Sequence, residues 1–187
     1  MDAYLEIRLL PDPEFIPTTL MNALFSKLHR ALVAHGEQNI GVSFPDVGKN
    51  DRSLGERLRL HSHKAELEKL MASNWLVGIR DHTIVSEAVE VPAHVQQRIV
   101  RRVQAKSNPE RLRRRLMQRK GIDHEAAAQA IPDSASERLT LPYVILTSSS
   151  TCQQFRLFIQ HGPLASTPTM GRFTHYGLSS TTTIPWF

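Results

Sequence analysis

The chain has little of what staples or anchors a protein. It carries one cysteine, Cys152, in 187 residues. That excludes an internal disulfide and any structural zinc site needing two thiolates. No apolar run approaches the roughly 20 residues needed to span a bilayer. The first residues, Met1-Asp2-Ala3-Tyr4-Leu5-Glu6, lack the basic-then-apolar order of a signal peptide. A cytoplasmic protein without a membrane partner is expected. His61-x-His63 comes nearest to a metal motif, but two histidines without clustered carboxylates or cysteines make a poor site. No metal and no cofactor are expected. Acid is almost missing from one stretch: Arg101 to Lys120 holds nine Lys and Arg residues against a single acid, Glu110.

That stretch therefore carries +8, and because the whole chain carries +5, the remaining residues sum to −3. A mildly acidic body with one concentrated basic segment points to an acidic partner engaged at one place. The length suits one mid-sized domain or two small ones, and the 41% hydrophobic and 22% charged content is that of a soluble globular protein.

Apolar spacing sets the order of elements. Residues 4–10 alternate as a strand, broken by Pro11, Pro13 and Pro17. Thr18 or Thr19 is positioned to cap a helix to about Ala34, with Leu20, Leu24, Leu28 and Ala31 on one face and Gly36 near its end. Strands are expected at Ile40–Phe44 and Leu58–His61, a helix over Ser62–Met71, and strand-prone sequence from Leu76 to Val91. This is β-α-β-β-α-β, the ferredoxin-like plan, ending near Pro92. The expected fold is α+β, with a ferredoxin-like domain at 1–94 and a smaller C-terminal domain at 95–187. The second half reads as a strand over Arg98–Lys106 and a helix over about 108–120, opened by Asn108 or Ser107 and Pro109 and stopped at Gly121. A short helix capped by Asp123 follows, with strands at Leu141–Ser148 and Gln154–His161.

At 100° per residue, Arg111, Arg114, Arg115 and Arg119 form one stripe, with Gln118 inside it and Leu112 and Leu116 as a narrow apolar strip beside it. Burying the stripe is excluded, since each unpaired buried arginine costs several kcal/mol. Arginines at this pitch clamp phosphates across a groove. The deep major groove of A-form RNA admits side chains only near helix ends or loops, which favours an RNA hairpin over a long duplex. Ahead of the helix, Arg102 and Gln104 share one face of an extended segment, and both types read base edges. DNA fits the charge equally, but no helix-turn-helix pairing leads into the basic helix.

The string Val100-Arg101-Arg102-Val103-Gln104-Ala105-Lys106-Ser107-Asn108-Pro109-Glu110-Arg111-Leu112-Arg113-Arg114-Arg115-Leu116 resembles the arginine-rich segment of the type I-F CRISPR repeat-processing endoribonucleases. Tyr4-Leu5-Glu6-Ile7-Arg8, Pro11-Asp12-Pro13-Glu14-Phe15, Gly41-Val42-Ser43-Phe44-Pro45, Phe155-Arg156-Leu157-Phe158-Ile159, His161-Gly162-Pro163 and Pro185-Trp186-Phe187 are similar to the same family. The likeness is weakest over about 46–97. It implies an endoribonuclease that binds the CRISPR repeat stem-loop and cleaves precursor crRNA just after the hairpin without metal. It implies 2′-hydroxyl attack, giving a 5′-hydroxyl and a 2′,3′-cyclic or 3′ phosphate. It also implies retention of the mature crRNA and a place among the other subunits of the type I-F interference complex.

The site residues follow from the same resemblance. His29 aligns with the general base, a role suited to imidazole because it titrates near neutrality. Ser148 would hold the attacking ribose, Ser150 would support the site, and Tyr176 would lie beside it. Phe155 would stack on the terminal base pair of the stem. The expected RNA-binding set is Arg102, Gln104, Ser107, Asn108, Arg111, Arg114, Arg115, Arg119, Lys120 and Phe155. Gln118 and Cys152 depart from the family pattern. An RNA-binding subunit without catalysis is the principal competing class, and the pairing of His29 with Ser148 argues against it.

Overall fold

Ala3, Leu5, Ile7 and Leu9 alternate with Tyr4, Glu6 and Arg8, and β1 (Ala3–Leu9) buries the first set on one face. The computed structural model describes residues 1–48, 53–105, 109–133, 139–148 and 150–187. Ser107 and Asn108, expected at the RNA, lie outside these residues, as does Lys106. The described residues form two compact units. One comprises Met1–Arg102 with Leu141–Phe187, the other Val103–Thr140.

In the larger unit, α1 (Pro17–His35) lays Leu20, Met21, Leu24, Phe25, Leu28, Ala31 and Leu32 on its buried side. These fall at spacings of three and four, the stripe a core-facing helix needs. Ile16 is its N-cap, with no side-chain bond, and Pro17 is the first helical residue. The expected caps Thr18 and Thr19 are therefore inside the helix. Proline supplies the start because its fixed φ suits the first turn and its missing N–H would be unpaired there anyway. β2 (Gly41–Ser43), β3 (Arg57–Ser62), α2 (Lys64–Ala72), β4 (Thr83–Val85) and β5 (Val89–Glu90) complete the pattern.

The sheet order is β2-β3-β1-β4, with β5 also on β1, and every pairing is antiparallel. This is the ferredoxin-like arrangement. The strand expected over Leu76–Val91 is shorter. Asn74 and Gly78 take left-handed backbone, and Leu76 and Ile79 enter the core from turns. Ser86 then interrupts the edge strand. Its Oγ accepts from the Glu6 N–H at 2.9 Å, so β4 and β5 are two pieces of one edge along β1.

β3 is buried on both faces, including Arg59, His61 and Ser62. The face away from the helices is occupied by the C-terminal residues. Arg59 donates from Nε and Nη2 to Glu6 Oε1 and from Nη1 to the Phe187 backbone oxygen, and its guanidinium lies 3.9 Å from the Phe187 ring centroid.

A second sheet is formed by β6 (Gln96–Val103), β7 (Tyr143–Thr147), β8 (Gln154–Ala165) and β9 (Thr183–Trp186), in the order β7-β8-β6-β9. On β8, Leu157 and Ile159 face the core. Phe158 is half-buried and packs edge-on against Tyr143. A strand's two faces alternate, so 157 and 159 inside put 158 outside.

In the smaller unit, α3 (Pro109–Lys120) and α4 (His124–Ala130) are neighbours in sequence and pack together. Gly121, at φ 64°, donates its N–H to Met117 O and ends α3 in the left-handed conformation that glycine adopts without strain. Asp123 accepts the Ala126 N–H at 2.8 Å and caps α4 as expected. No described helix is long and apolar enough to cross a membrane.

Candidate active site and nucleic-acid interface

α1, the β7–β8 hairpin and the loop after Phe173 enclose a cleft of about 760 Å³. His29, Ser148, Phe155, Arg102 and Tyr176 all line it, and residues far apart in sequence are thereby brought together. Helical geometry puts His29 on the side of α1 that also carries Ser26, Arg30 and Val33, at spacings of three, one and four. Leu28, one residue earlier, points into the core.

His29 is held from two directions. Its ring stacks on Tyr176, with centroids 4.1 Å apart and planes 13° from parallel. Its Nδ1 lies 2.9 Å from the backbone oxygen of His175. A carbonyl oxygen only accepts, so Nδ1 carries the proton and donates. In the neutral ring Nε2 then carries the lone pair. A half-buried imidazole fixed in this tautomer is equipped to accept a proton through Nε2.

Ser148 closes the β7–β8 hairpin. Its N–H donates to Gln153 O and its carbonyl accepts from Cys152 N, both at 2.9 Å. Cys152 takes a left-handed φ of 53°, and the hydroxyls of Ser148 and Ser150 lie 3.1 Å apart. The Ser148 Oγ also accepts from the Thr151 N–H at 3.3 Å. Cys152 itself lines the cleft. Ser150 is not among the residues that line the cleft.

Arg102, on β6, places its guanidinium 5.8 Å from the ring centroids of both Phe155 and Tyr176. Phe155 is half-buried, and one end of the cleft thus has an aromatic face beside a cation. Stacking on such a face tolerates any base.

In the smaller unit, Arg111, Arg114, Arg115, Gln118, Arg119 and Lys120 are exposed on α3, while Leu112, Arg113, Leu116 and Met117 are half-buried. The expected stripe is therefore outward-facing. Arg113 is on the other side, donating Nε–H to Ile131 O and Nη2–H to Asp133, each at 2.7 Å. Gln104 is exposed.

His61 and His63 have separate partners. His61 is fully buried and lies 2.8 Å from the Ser43 hydroxyl through Nε2; His63 is exposed and bonds Asp2. Burial, with Arg59 nearby, pushes the His61 pKa down to about 3. Ser26 and Arg30 line the cleft without a sequence signal of their own. The His175 carbonyl is a backbone group, and no residue type announces such a contact.

Residues 4–187 match the family described as CRISPR-associated protein (Cas_Csy4). The chain is 56% identical over its full 187 residues to the CRISPR-associated endonuclease Cas6/Csy4 of Pseudomonas aeruginosa (strain UCBPP-PA14), all of whose length is covered. It is 49% identical, again over the full length of both, to the CRISPR-associated endonuclease Cas6/Csy4 of Escherichia coli (strain UTI89 / UPEC).

Proposed function

Because the chain belongs to the Cas_Csy4 family of CRISPR-associated proteins, we propose that it binds the CRISPR repeat hairpin and cuts precursor crRNA at the foot of the stem. The observation that carries this reading is the His29 tautomer: Nδ1–H is spent on the His175 carbonyl, leaving Nε2 as the basic nitrogen of a residue that shares a cleft with Ser148.

His29 takes the proton of the ribose 2′-hydroxyl through Nε2. The 2′-oxygen forms a bond to the adjacent phosphorus, and the bond from phosphorus to the 5′-oxygen breaks. The 5′-oxygen takes up a proton, so the products are a 2′,3′-cyclic phosphate and a 5′-hydroxyl. This sequence of steps runs without metal. Ser148 holds the attacking ribose, Ser150 steadies Ser148, and Tyr176 fixes the imidazole plane. No Ser-His-Asp arrangement is involved, and the serines are not nucleophiles.

Binding is separate from cutting in this scheme. Arg102 and Gln104 read base edges near the foot of the stem, and Ser107 and Asn108 continue that contact. Phe155 stacks on the terminal base pair. Arg111, Arg114, Arg115, Arg119 and Lys120 hold the groove. Taken along the chain, residues 1–94 supply His29 and residues 95–187 the RNA-binding residues, a division by sequence that differs from the two compact units. The protein keeps its product and remains with the other subunits of a type I-F interference complex.

The test is His29→Ala with a repeat-hairpin RNA. Cleavage should fall by two to four orders of magnitude, the usual contribution of a general base, with the dissociation constant unchanged. Cleavage at the wild-type rate would remove His29 from the mechanism, and loss of binding would make it structural.

A further inference from the structure

The peptide between His175 and Tyr176 does two things for His29. Its carbonyl end accepts the Nδ1 proton, and the residue that begins at its nitrogen supplies the stacked ring. Its N–H end is also held: Tyr176 N donates to Thr174 Oγ1 at 3.3 Å. Among the described residues no peptide bond is cis. In a planar trans peptide the N–H and C=O directions are locked together. Whatever fixes the Tyr176 N–H therefore fixes the line along which the His175 oxygen faces the imidazole.

Thr174 is itself pinned. Its hydroxyl donates to Leu178 O at 3.0 Å, and its own N–H donates to the same oxygen at 2.9 Å. Its carbonyl accepts from Gly177 N at 2.8 Å. With one proton donated to Leu178 and a lone pair turned to Tyr176, the hydroxyl passes a single hydrogen-bond direction through the turn. Bonds joined in this order polarise one another, which makes the His175 oxygen a better acceptor.

The turn is tied to the sheets. Gly177 O accepts from Val42 N, Phe173 N donates to Gln38 O, and Ser179 N donates to Val100 O. Gly177 has φ 69°, and a Cβ there would collide with the Val42 side chain. Glycine meets both the backbone and the space requirement.

We propose that Thr174 is a positioning residue for cleavage: through the 175–176 peptide it sets the tautomer and plane of His29. The proposal rests on His29 acting as the base. Thr174 touches no reacting atom. Without its hydroxyl the peptide can rotate, and His29 can then shift its proton to Nε2, which cannot accept one.

The experiment combines ¹⁵N NMR of the histidine rings with single-turnover cleavage of a repeat-hairpin RNA at saturating protein, for wild type, Thr174→Val, Thr174→Ser and His29→Ala. In the wild type, neutral His29 should be the Nδ1–H tautomer; an Nε2–H tautomer overturns the proposal without any variant. Thr174→Val should show an Nε2–H population and cleave about ten-fold more slowly, a fraction of what a general base contributes, with hairpin affinity unchanged. Thr174→Ser should restore both tautomer and rate. If His29→Ala is inactive while Thr174→Val keeps both the wild-type tautomer and rate, the role of Thr174 fails and that of His29 stands. If Thr174→Val loses hairpin binding, Thr174 is only structural and the proposal fails. If His29→Ala cleaves normally, the reading of His29 fails and the proposal falls with it.

Discussion

Arg113 donates to the Asp133 carboxylate at 2.7 Å, turned away from the arginines on either side of it. Its side chain is 12% exposed while that of Asp133 is 90% exposed. So open an ion pair contributes little on its own. The bond from Arg113 Nε to the Ile131 carbonyl, also 2.7 Å, closes the end of α4 against α3 and matters more. Arg113→Ala should therefore destabilise the Val103–Thr140 unit by about 1.5–3 kcal/mol, as for a hydrogen bond to a charged group. Hydrogen exchange across α3 and α4 is the measurement, and unchanged protection would contradict this role.

The exposed arginines should behave oppositely. Arg114→Ala and Arg119→Ala should each weaken hairpin binding and reduce the slope of log K against log salt by about 1, because one phosphate contact and its released counterions are lost. Stability should stay the same. A slope equal to that of the wild type at both positions would mean that the stripe does not meet phosphate.

How legible were these roles beforehand? The stripe was plain because helical spacing is regular and nothing else in the chain is so basic. The ferredoxin-like order was plain for the same reason: Leu5, Ile7 and Leu9 alternate, and Leu20, Leu24 and Leu28 recur at helical spacing. Two kinds of feature escaped. Arg59 and His61 are polar residues buried on the second face of β3, where Arg59 meets Glu6 and the distant Phe187 and His61 meets the Ser43 hydroxyl. The strand-prone stretch Leu76–Val91 forms strand only at Thr83–Val85 and Val89–Glu90; its first part is taken by turns around Asn74 and Gly78, since apolar content alone does not separate a buried turn from a strand. At the cleft, residue types pointed to His29, Ser148 and Phe155 only through resemblance to a family. The His175 carbonyl has no side-chain signature, and the collar around His29 emerged from the fold.

Buried histidines make acid stability a further test. Among the described residues, neither buried ring nitrogen of His161 has a hydrogen-bond partner. The ring sits edge-on to Phe44 and to Trp186. Burial, reinforced by the charge of Arg98, pushes its pKa down from 6.5 to about 4, and that of His61 falls to about 3. The unfolded chain binds these protons at higher pH than the native state does. Stability is therefore full above pH 6.5 and is lost as pH falls through the window down to about 4 and then 3. The loss should reach several kcal/mol, since every tenfold weakening of proton affinity on folding corresponds to about 1.4 kcal/mol. Urea unfolding between pH 7 and 4.5 should show it, and His161→Leu should flatten the slope. An equally steep slope in the variant would exclude His161 as a source.

The most direct measurement is incubation of the protein with a CRISPR repeat RNA in EDTA, with the product ends identified. The expected result is one cut at the base of the hairpin, leaving a 2′,3′-cyclic or 3′ phosphate and a 5′-hydroxyl. No cleavage, or cleavage that returns only on adding magnesium, would contradict a mechanism in which His29 alone moves the 2′-hydroxyl proton.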